Sequence, residues 1–179
     1  GNCNNDYISN VSIDGTTLDN NSTCNNTPLG ARTVFPASGN TTATLVGGVT
    51  YTINVTPSNL KSMGVWVDYN KNGTYEVSEF TLIEQRSDRT SSIQFTVPST
   101  VTPGLTGLRV RTNEALAFGF PVGGIYSHQA ANNFIQGETE DYVIMLDTLK
   151  PATGVMVTDI TDSSVRVSWT NGNGSGRIV

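Results

Sequence analysis

Short stretches in which apolar and polar residues alternate run through most of the chain. Apolar side chains recur at every second position in five stretches: Tyr51, Ile53 and Val55; Met63, Val65 and Val67; Ile93, Phe95 and Val97; Leu108 and Val110; Val143 and Met145. A period of two buries one face of a strand. Turn-rich segments such as VGGVT, NKNG and VPSTVTPG separate the stretches. The pattern predicts an all-β domain of roughly six to nine strands, an antiparallel β-sandwich of jelly-roll or immunoglobulin-like type.

The pattern changes after the segment DTLKPATG, which predicts a domain boundary. Residues 1–147 are then the sandwich domain, residues 148–152 a linker and residues 153–179 a second unit. In this second unit Val165, Val167 and Trp169 alternate as inward-facing positions would. The segment resembles the first strands of a fibronectin type III module, a sandwich of about a hundred residues. We expect a partial module, cut from a longer chain or completed by strands of another molecule.

Composition and charge exclude several partners. The net charge is −5 and the ten Lys and Arg residues are scattered, which argues against nucleic-acid binding. No apolar run of about eighteen residues occurs, so no membrane insertion is predicted. The two cysteines, Cys3 and Cys24, lie in polar sequence near one end, and we expect a disulfide there, worth roughly 3 kcal/mol. The bridge predicts an extracellular or cell-surface location, with a signal peptide already removed.

The segment DYNKNGTYEVSEF has the spacing of a calcium-binding loop. Oxygen-bearing residues fall at alternate positions, a glycine occupies the sixth position and a glutamate the twelfth, as in an EF-hand. The predicted Ca²⁺ ligands are Asp68, Asn70, Asn72, Thr74, Glu76 and Glu79. Two amides in place of acids predict a weak, structural site, with a dissociation constant of roughly 0.1 to 1 mM. The alternative is that the same residues simply form a hairpin turn.

The segment GETEDYVIML places three acids at the start of an apolar strand, and LRVRT places two arginines on one face of another. Opposite charges at period-two spacing predict a cross-strand ion-pair ladder. Its members are Arg109, Arg111, Glu138, Glu140 and Asp141. Two alternatives stay open, namely additional calcium ligands from Asp141 or Glu138 and a carboxylate pair for glycoside hydrolysis.

A long connection, NEALAFGFPVGGIYSHQAANNFIQ, joins these two strands. Long loops in compact domains are often functional, and aromatic rings beside amides suit sugar rings. The candidate ligand-binding residues are Phe118, Phe120, Tyr126, His128 and Asn132. The alternatives are that the aromatic side chains form a small satellite core, or that the loop binds a protein.

Several segments together resemble the GEVED domain family. They are YISNVSIDG, the stretch from TYTINV to YEVSEF, TVPSTVTPGLTGLRVRT and the closing GETEDYVIML. The closing motif differs from Gly-Glu-Val-Glu-Asp only at Thr139, and Trp66, Asp68 and Asn70 match the family's Trp-x-Asp-x-Asn loop. The resemblance covers about residues 1–147 and implies a β-sandwich module of large secreted proteins from Bacteroidetes and related bacteria. In that group the DTL segment resembles an O-glycosylation acceptor, with Thr148 as the modified residue.

Catalysis is not expected. His128 is the only histidine, and neither G-x-S-x-G nor H-E-x-x-H occurs. The sequence therefore favours a non-catalytic, calcium-stabilised accessory or adhesive module of a larger secreted or cell-surface protein, binding polysaccharide or a surface protein. One alternative is a structural subunit of a fibre or stalk that pairs with neighbouring copies of itself. Another is an accessory part of a secreted hydrolase whose catalytic domain lies elsewhere.

Overall fold

The computed structural model describes Cys3 and residues 6–25, 31–115, 123–134 and 136–173. Within these ranges the chain forms strands and short 3₁₀ helices, and no α-helix. This confirms the predicted all-β class. The strands are β1 (Ile8–Ile13), β2 (Asp19–Asn21), β3 (Arg32–Phe35), β4 (Thr44–Val46), β5 (Thr50–Pro57), β6 (Lys61–Val67), β7 (Phe80–Ser87), β8 (Ser91–Thr96), β9 (Gly104–Glu114), β10 (Thr139–Asp147), β11 (Thr153–Thr158) and β12 (Arg166–Thr170). The 3₁₀ helices are Gly39–Thr41, Val77–Glu79 and Ser127–Gln129.

Ten of these strands form two sheets. The first sheet has the order β2-β1-β5-β8, and the second has the order β3-β10-β9-β6-β7, with β4 also paired to β10. Most pairings are antiparallel, as predicted, but β3 and β4 both run parallel to β10. They follow each other along the same edge of β10, separated by the 3₁₀ helix Gly39–Thr41. The second sheet is therefore mixed at this edge.

The larger apolar core is built from residues of both sheets. Ile53 and Val55 of the first sheet share it with Val65, Leu108 and other residues of the second. The predicted inward positions of β5, β6, β8 and β9 belong to this cluster or pack against it. Apolar side chains meeting between two sheets are what stabilises a sandwich.

The prediction of which face of β10 turns inward is wrong. Met145 is 36% exposed, while Tyr142, Ile144 and Leu146 are buried in the core. The segment VIML is apolar at consecutive positions, so alternation alone could not decide which of its faces turns inward.

A second, smaller core covers the outer face of the second sheet. Trp66, Ile125 and Ala130 form it, with Tyr75, Phe80 and Phe134 packed against them. The Trp66 and Phe80 rings lie 4.7 Å apart, and Trp66 Nε1 donates a hydrogen bond to the Ser127 carbonyl (3.0 Å). Residues 123–134 of the long connection thus pack against the sheet through apolar side chains.

The predicted disulfide between Cys3 and Cys24 is confirmed. It joins the segment before β1 to the segment after β2, and Cys3 is fully buried. A disulfide is consistent with an extracellular location. Among the described residues, no helix is long and apolar enough to cross a membrane.

Strands β11 and β12 form a separate two-stranded sheet. Here the predicted inward alternation is wrong for the described part of the chain, because Val165 and Val167 are exposed. The other strand and its turn also expose apolar side chains, namely Val155, Met156, Val157 and Ile160. Two strands alone have no opposing sheet against which to bury these residues.

Candidate functional site

The predicted calcium loop connects β6 to β7. Two residues of the loop have a positive backbone φ angle, +80° at Gly73 and +59° at Lys71. Glycine adopts such an angle without cost, whereas at Lys71 it strains the backbone. Lys71 Nζ ties the loop to the carbonyls of Thr102 and Pro103 (3.0 and 2.8 Å). The loop is therefore held in place from outside as well as from within.

Two buried carboxylates organise the loop from within. The Oδ1 and Oδ2 atoms of Asp68 accept hydrogen bonds from the backbone N–H groups of Asn72 (3.1 Å) and Gly73 (2.9 Å). Glu79 accepts from Tyr69 N (2.8 Å) and Glu76 N (3.0 Å), one at each oxygen. Asp68 and Glu79 are each only 5% exposed. Hydrogen bonds from backbone donors offset the cost of burying these charges.

The other predicted calcium ligands hydrogen-bond to one another. Asn70 and Asn72 donate side-chain N–H groups to the two oxygens of Glu76 (3.1 and 3.0 Å), and Thr74 Oγ1 donates to Asn72 Oδ1 (2.5 Å). Within the described ranges, no three His, Cys, Asp or Glu side chains are gathered closely enough to hold a metal ion. Calcium binding stays a prediction. A bidentate contact from Glu79 would require its carboxylate to release some of its backbone donors.

Asp141 is the centre of an ion-pair cluster on the outer face of the second sheet. Arg109 binds it with two hydrogen bonds, Nε to Oδ1 (2.6 Å) and Nη2 to Oδ2 (2.8 Å). Arg32, from β3, donates Nε to Oδ2 as well (2.7 Å). The strand register brings the Asp141 and Arg109 side chains together, because Asp141 lies directly opposite Arg109 in β9. One carboxylate therefore serves two guanidinium groups.

Among the residues that the structure describes, Arg111 has only neutral hydrogen-bond acceptors. Its Nε donates to Thr139 Oγ1 (2.9 Å), its Nη2 to the Asn132 carbonyl (2.6 Å) and its Nη1 to the Gln129 carbonyl. The guanidinium lies 4.0 Å from the centre of the Phe134 ring, within cation–π range. Burial and then the nearby positive charge of Arg109 lower the pKa of Arg111 to about 10. Arg111 thus anchors the long connection to the sheet without an acid of its own.

Glu138 and Glu140 do not belong to this cluster, which corrects the predicted ladder. Side chains alternate along β10, so Thr139 and Asp141 face the arginines while Glu138 and Glu140 face the interior between the sheets. Glu138 Oε2 accepts a hydrogen bond from Ile8 N (2.8 Å), and Glu140 contacts Ser22 and Tyr142. They are 2% and 0% exposed. Such burial argues against the alternative of an acid–base pair for glycoside hydrolysis.

Burial raises the pKa of both interior glutamates to about 7. For Glu138, the backbone N–H of Ile8 opposes this shift and the nearby Glu140 charge adds to it. The Asn25 backbone N–H opposes it more weakly. Glu138 Oε1 has no hydrogen-bond partner among the described residues.

A pocket of about 250 Å³ lies beside the arginine cluster, between β3, β10 and the long connection. Arg32, Arg109 and Arg111 border it on the sheet side, and Asn132, Asn133 and Phe134 on the loop side. Of the predicted ligand-binding residues that the structure describes, Asn132 alone lines this pocket. Sequence reasoning did not select Arg32, because β3 is short and carries no charge pattern that links it to β9.

Of the other predicted residues, the described ones, Tyr126, His128 and Thr148, do not line the pocket. Tyr126 and His128 stack on each other, with ring centres 6.1 Å apart, on the 3₁₀ segment of the long connection. Phe118 and Phe120 fall outside the described residues. Thr148 follows β10 directly, and its backbone N–H donates to Asp147 Oδ1 (2.8 Å). Its glycosylation stays a prediction.

Comparison with known proteins gives one family. The family model of the GEVED domain matches residues 62–145, a stretch that begins in β6, includes the loop at 68–79 and ends in β10 after the GETED motif. No curated protein and no solved structure matches the chain significantly. Residues 62–145 of the chain therefore match the GEVED domain family.

Proposed function

We propose that this chain is a non-catalytic extracellular module that binds polysaccharide for a larger secreted or cell-surface protein. The observation that carries the proposal is the pocket between β3, β10 and the long connection. Its wall combines guanidinium groups, two exposed amide side chains and an aromatic ring. Concave sites with a few convergent polar groups are the usual form of a small-ligand site.

The chemistry of the wall suits a sugar. Asn132 and Asn133 offer donors and acceptors to hydroxyl groups, and Arg111 is held beside them by the Asn132 carbonyl. Tyr126, on the same connection but not in the pocket lining, is 38% exposed, and its ring is available to stack against a neighbouring unit of a polysaccharide chain. The connection is fixed to the sheet by Arg109, Arg111 and Trp66, so these groups are arranged before a ligand arrives. Preorganisation reduces the entropy lost on binding.

The test is retention on a panel of immobilised polysaccharides. Wild-type protein is compared with Asn132→Ala and Tyr126→Ala, and with Gln94→Ala as a matched control on the exposed face of β8. We expect retention on at least one polysaccharide, lost or weakened in the first two variants and unchanged in the control. The absence of retention on every matrix would reject the proposal.

We propose calcium as a stabilising ion of the same module, bound at the loop between β6 and β7. The support is the spacing of the loop together with two buried carboxylates, Asp68 and Glu79, that have no cation beside them among the described residues. Calcium would exchange some backbone donors of Glu79 for metal contacts. Its role would be to hold β6 and β7 together, and polysaccharide binding through the pocket does not depend on it.

The exposed hairpin of β11 and β12 favours a second candidate, a fibre or stalk subunit that pairs with neighbouring copies. Apolar side chains on both strands are uncovered, and strand addition across chains is a common way to cover such surfaces. Sedimentation at increasing protein concentration tests this candidate. Self-association that Val155→Lys abolishes would support it, whereas a monomer at every concentration would reject it.

A further inference from the structure

The face of the second sheet beneath the long connection carries excess positive charge. Three guanidinium groups, from Arg32, Arg109 and Arg111, border the pocket. Among the described residues, the Asp141 carboxylate accepts hydrogen bonds from Arg32 and Arg109, and none from Arg111. In the cluster itself, three positive charges and the one negative charge of Asp141 sum to +2, although the chain as a whole has a net charge of −5. Glu138 also lines the pocket, but it is buried and its carboxylate accepts a hydrogen bond from Ile8 N. The excess is therefore a property of this site.

Arg111 is the group in this cluster whose charge is least compensated. It is only 6% exposed, and its three hydrogen bonds go to a hydroxyl and two carbonyl oxygens. A guanidinium has five N–H donors, so these bonds leave two that no described residue accepts. Asp141, the carboxylate whose charge acts on Arg111, is already bound by Arg109 through two hydrogen bonds and by Arg32 through another. A buried charge without an opposite partner is costly, and a bound anion would remove that cost.

We propose that the pocket binds an anionic sugar unit, with the carboxylate or sulfate group of the sugar paired to Arg111. The inference rests on the proposed polysaccharide function and names the class of polysaccharide. A guanidinium group binds a planar or tetrahedral oxyanion through two parallel N–H donors. A neutral hydroxyl group cannot accept both of these hydrogen bonds in the same geometry.

The size and wall of the pocket specify the rest of the ligand. A volume of about 250 Å³ lies just below the range of roughly 300 to 1,000 Å³ for drug-sized ligands, so the pocket takes a single sugar unit. Asn132 and Asn133 lie exposed at its rim, where the hydroxyl groups of that unit would meet them. Arg32, whose side chain is 43% exposed, adds long-range attraction for a polyanionic chain.

The test uses the full chain and three immobilised polymers of related sugars, namely polygalacturonate, a sulfated galactan and a neutral galactan. Binding of free galacturonate and free galactose is measured in parallel by titration calorimetry. The key variant is Ala131→Glu, which places a carboxylate at the exposed wall of the pocket and leaves the arginines in place. Gln94→Glu adds the same charge on β8 of the other sheet and serves as the matched control.

We expect retention on one or both acidic polymers, weak retention on the neutral polymer and binding of galacturonate over galactose. Ala131→Glu should weaken acidic binding about tenfold, as an added repulsion of about 1.4 kcal/mol does, while Gln94→Glu should leave it unchanged. Comparing the carboxylated with the sulfated polymer identifies which anion the pocket prefers. If Ala131→Glu lowers the melting temperature, Asn133→Asp supplies the same charge with nearly the same shape, and the same loss is expected.

Two results would overturn the inference. Equal retention on neutral and acidic polymers, unaffected by Ala131→Glu, would remove the anionic ligand but leave polysaccharide binding standing. No retention on any polymer, with no heat from either free sugar, would reject both the inference and the proposed function.

Discussion

Glu140 provides a sharp test of how the interior of this sandwich is charged. Its carboxyl group lies in a chain of hydrogen bonds, in which Asn20 Nδ2 donates to Tyr142 OH (3.1 Å) and Tyr142 OH donates to Glu140 Oε2 (2.6 Å). On the other side, Ser22 Oγ lies 2.5 Å from Glu140 Oε1 and 2.7 Å from the Ile8 carbonyl oxygen. A serine hydroxyl has one hydrogen and cannot donate to both.

The conflict disappears when Glu140 carries a proton. Glu140 then donates through Oε1 to Ser22 Oγ, and Ser22 donates to the Ile8 carbonyl. All the groups in the chain are satisfied in this protonated form. Glu140→Gln should copy it, with the amide N–H donating to Ser22 and the amide oxygen accepting from Tyr142.

The effect on stability depends on pH. Burial raises the pKa of Glu140 from 4.5 to about 7, so between these values the folded state holds a proton that the unfolded state has lost. The free energy of unfolding therefore falls as pH rises from 4.5 to 7, and is lower by about 3 kcal/mol above pH 7 at 1.36 kcal/mol for each pH unit. Glu138, whose pKa is also about 7, acts in the same direction, and the two carboxyls titrate as a pair.

The assay is denaturant unfolding at pH 4.5, 6 and 8, followed by tryptophan fluorescence. Glu140→Gln should match the wild type at pH 4.5 and be more stable by about 2 to 3 kcal/mol at pH 8. Glu84→Gln, on the exposed side of β7, is the control and should follow the wild type throughout. A Glu140→Gln variant that is less stable than the wild type at pH 8 would refute the reasoning.

Three further outcomes are expected. Addition of 10 mM calcium should raise the free energy of unfolding by about 1.4 to 2.7 kcal/mol for a dissociation constant of roughly 0.1 to 1 mM. Asp68→Asn should abolish this gain. A melting temperature that is the same in calcium and in chelator would contradict the calcium site. Gly64→Ala should cost about 1 to 3 kcal/mol in denaturant unfolding, because its Cβ would lie 2.5 Å from Phe80 Cε2; a neutral result would mean that the second core yields readily. Asp141→Asn should cost about 3 to 5 kcal/mol, because it leaves Arg109 buried without its carboxylate; a loss below about 1 kcal/mol would show that solvent already screens this pair.

The sequence predicts those parts of the fold that local alternation determines. The inward positions of β5, β6 and β9 follow from a period of two, because polar residues separate the apolar ones in β5 and β9. In β6 the same rule finds Met63, Val65 and Val67 but gives no reason for Trp66 to be buried. Trp66 lies on the opposite face and is buried because the long connection and the Phe80 ring cover it.

Other features depend on contacts between distant segments. The parallel pairing of β3 and β4 with β10 joins segments about a hundred residues apart, and no local pattern encodes it. The charges of GETED were recognised from the sequence, but their division between two faces depends on the phase of β10. Arg32 could not be placed in the arginine cluster without that pairing. In the calcium loop the spacing was visible, while the role of Glu79 as an acceptor of backbone hydrogen bonds was not.

The bond between Ile8 N and Glu138 Oε2 has a consequence for how the chain is made. It joins residues 130 positions apart, and Ser22 meets Glu140 across a similar distance in sequence. Contacts of such long range slow folding, because much of the chain must be ordered before they form. A ribosome synthesises β10 after the other nine strands of the sandwich, so Ile8 and Ser22 lack their glutamate partners until the closing motif has emerged. A nascent chain that ends before Glu138 should remain open and sensitive to protease, and an exported protein of this kind can reach its translocation machinery before it has become compact.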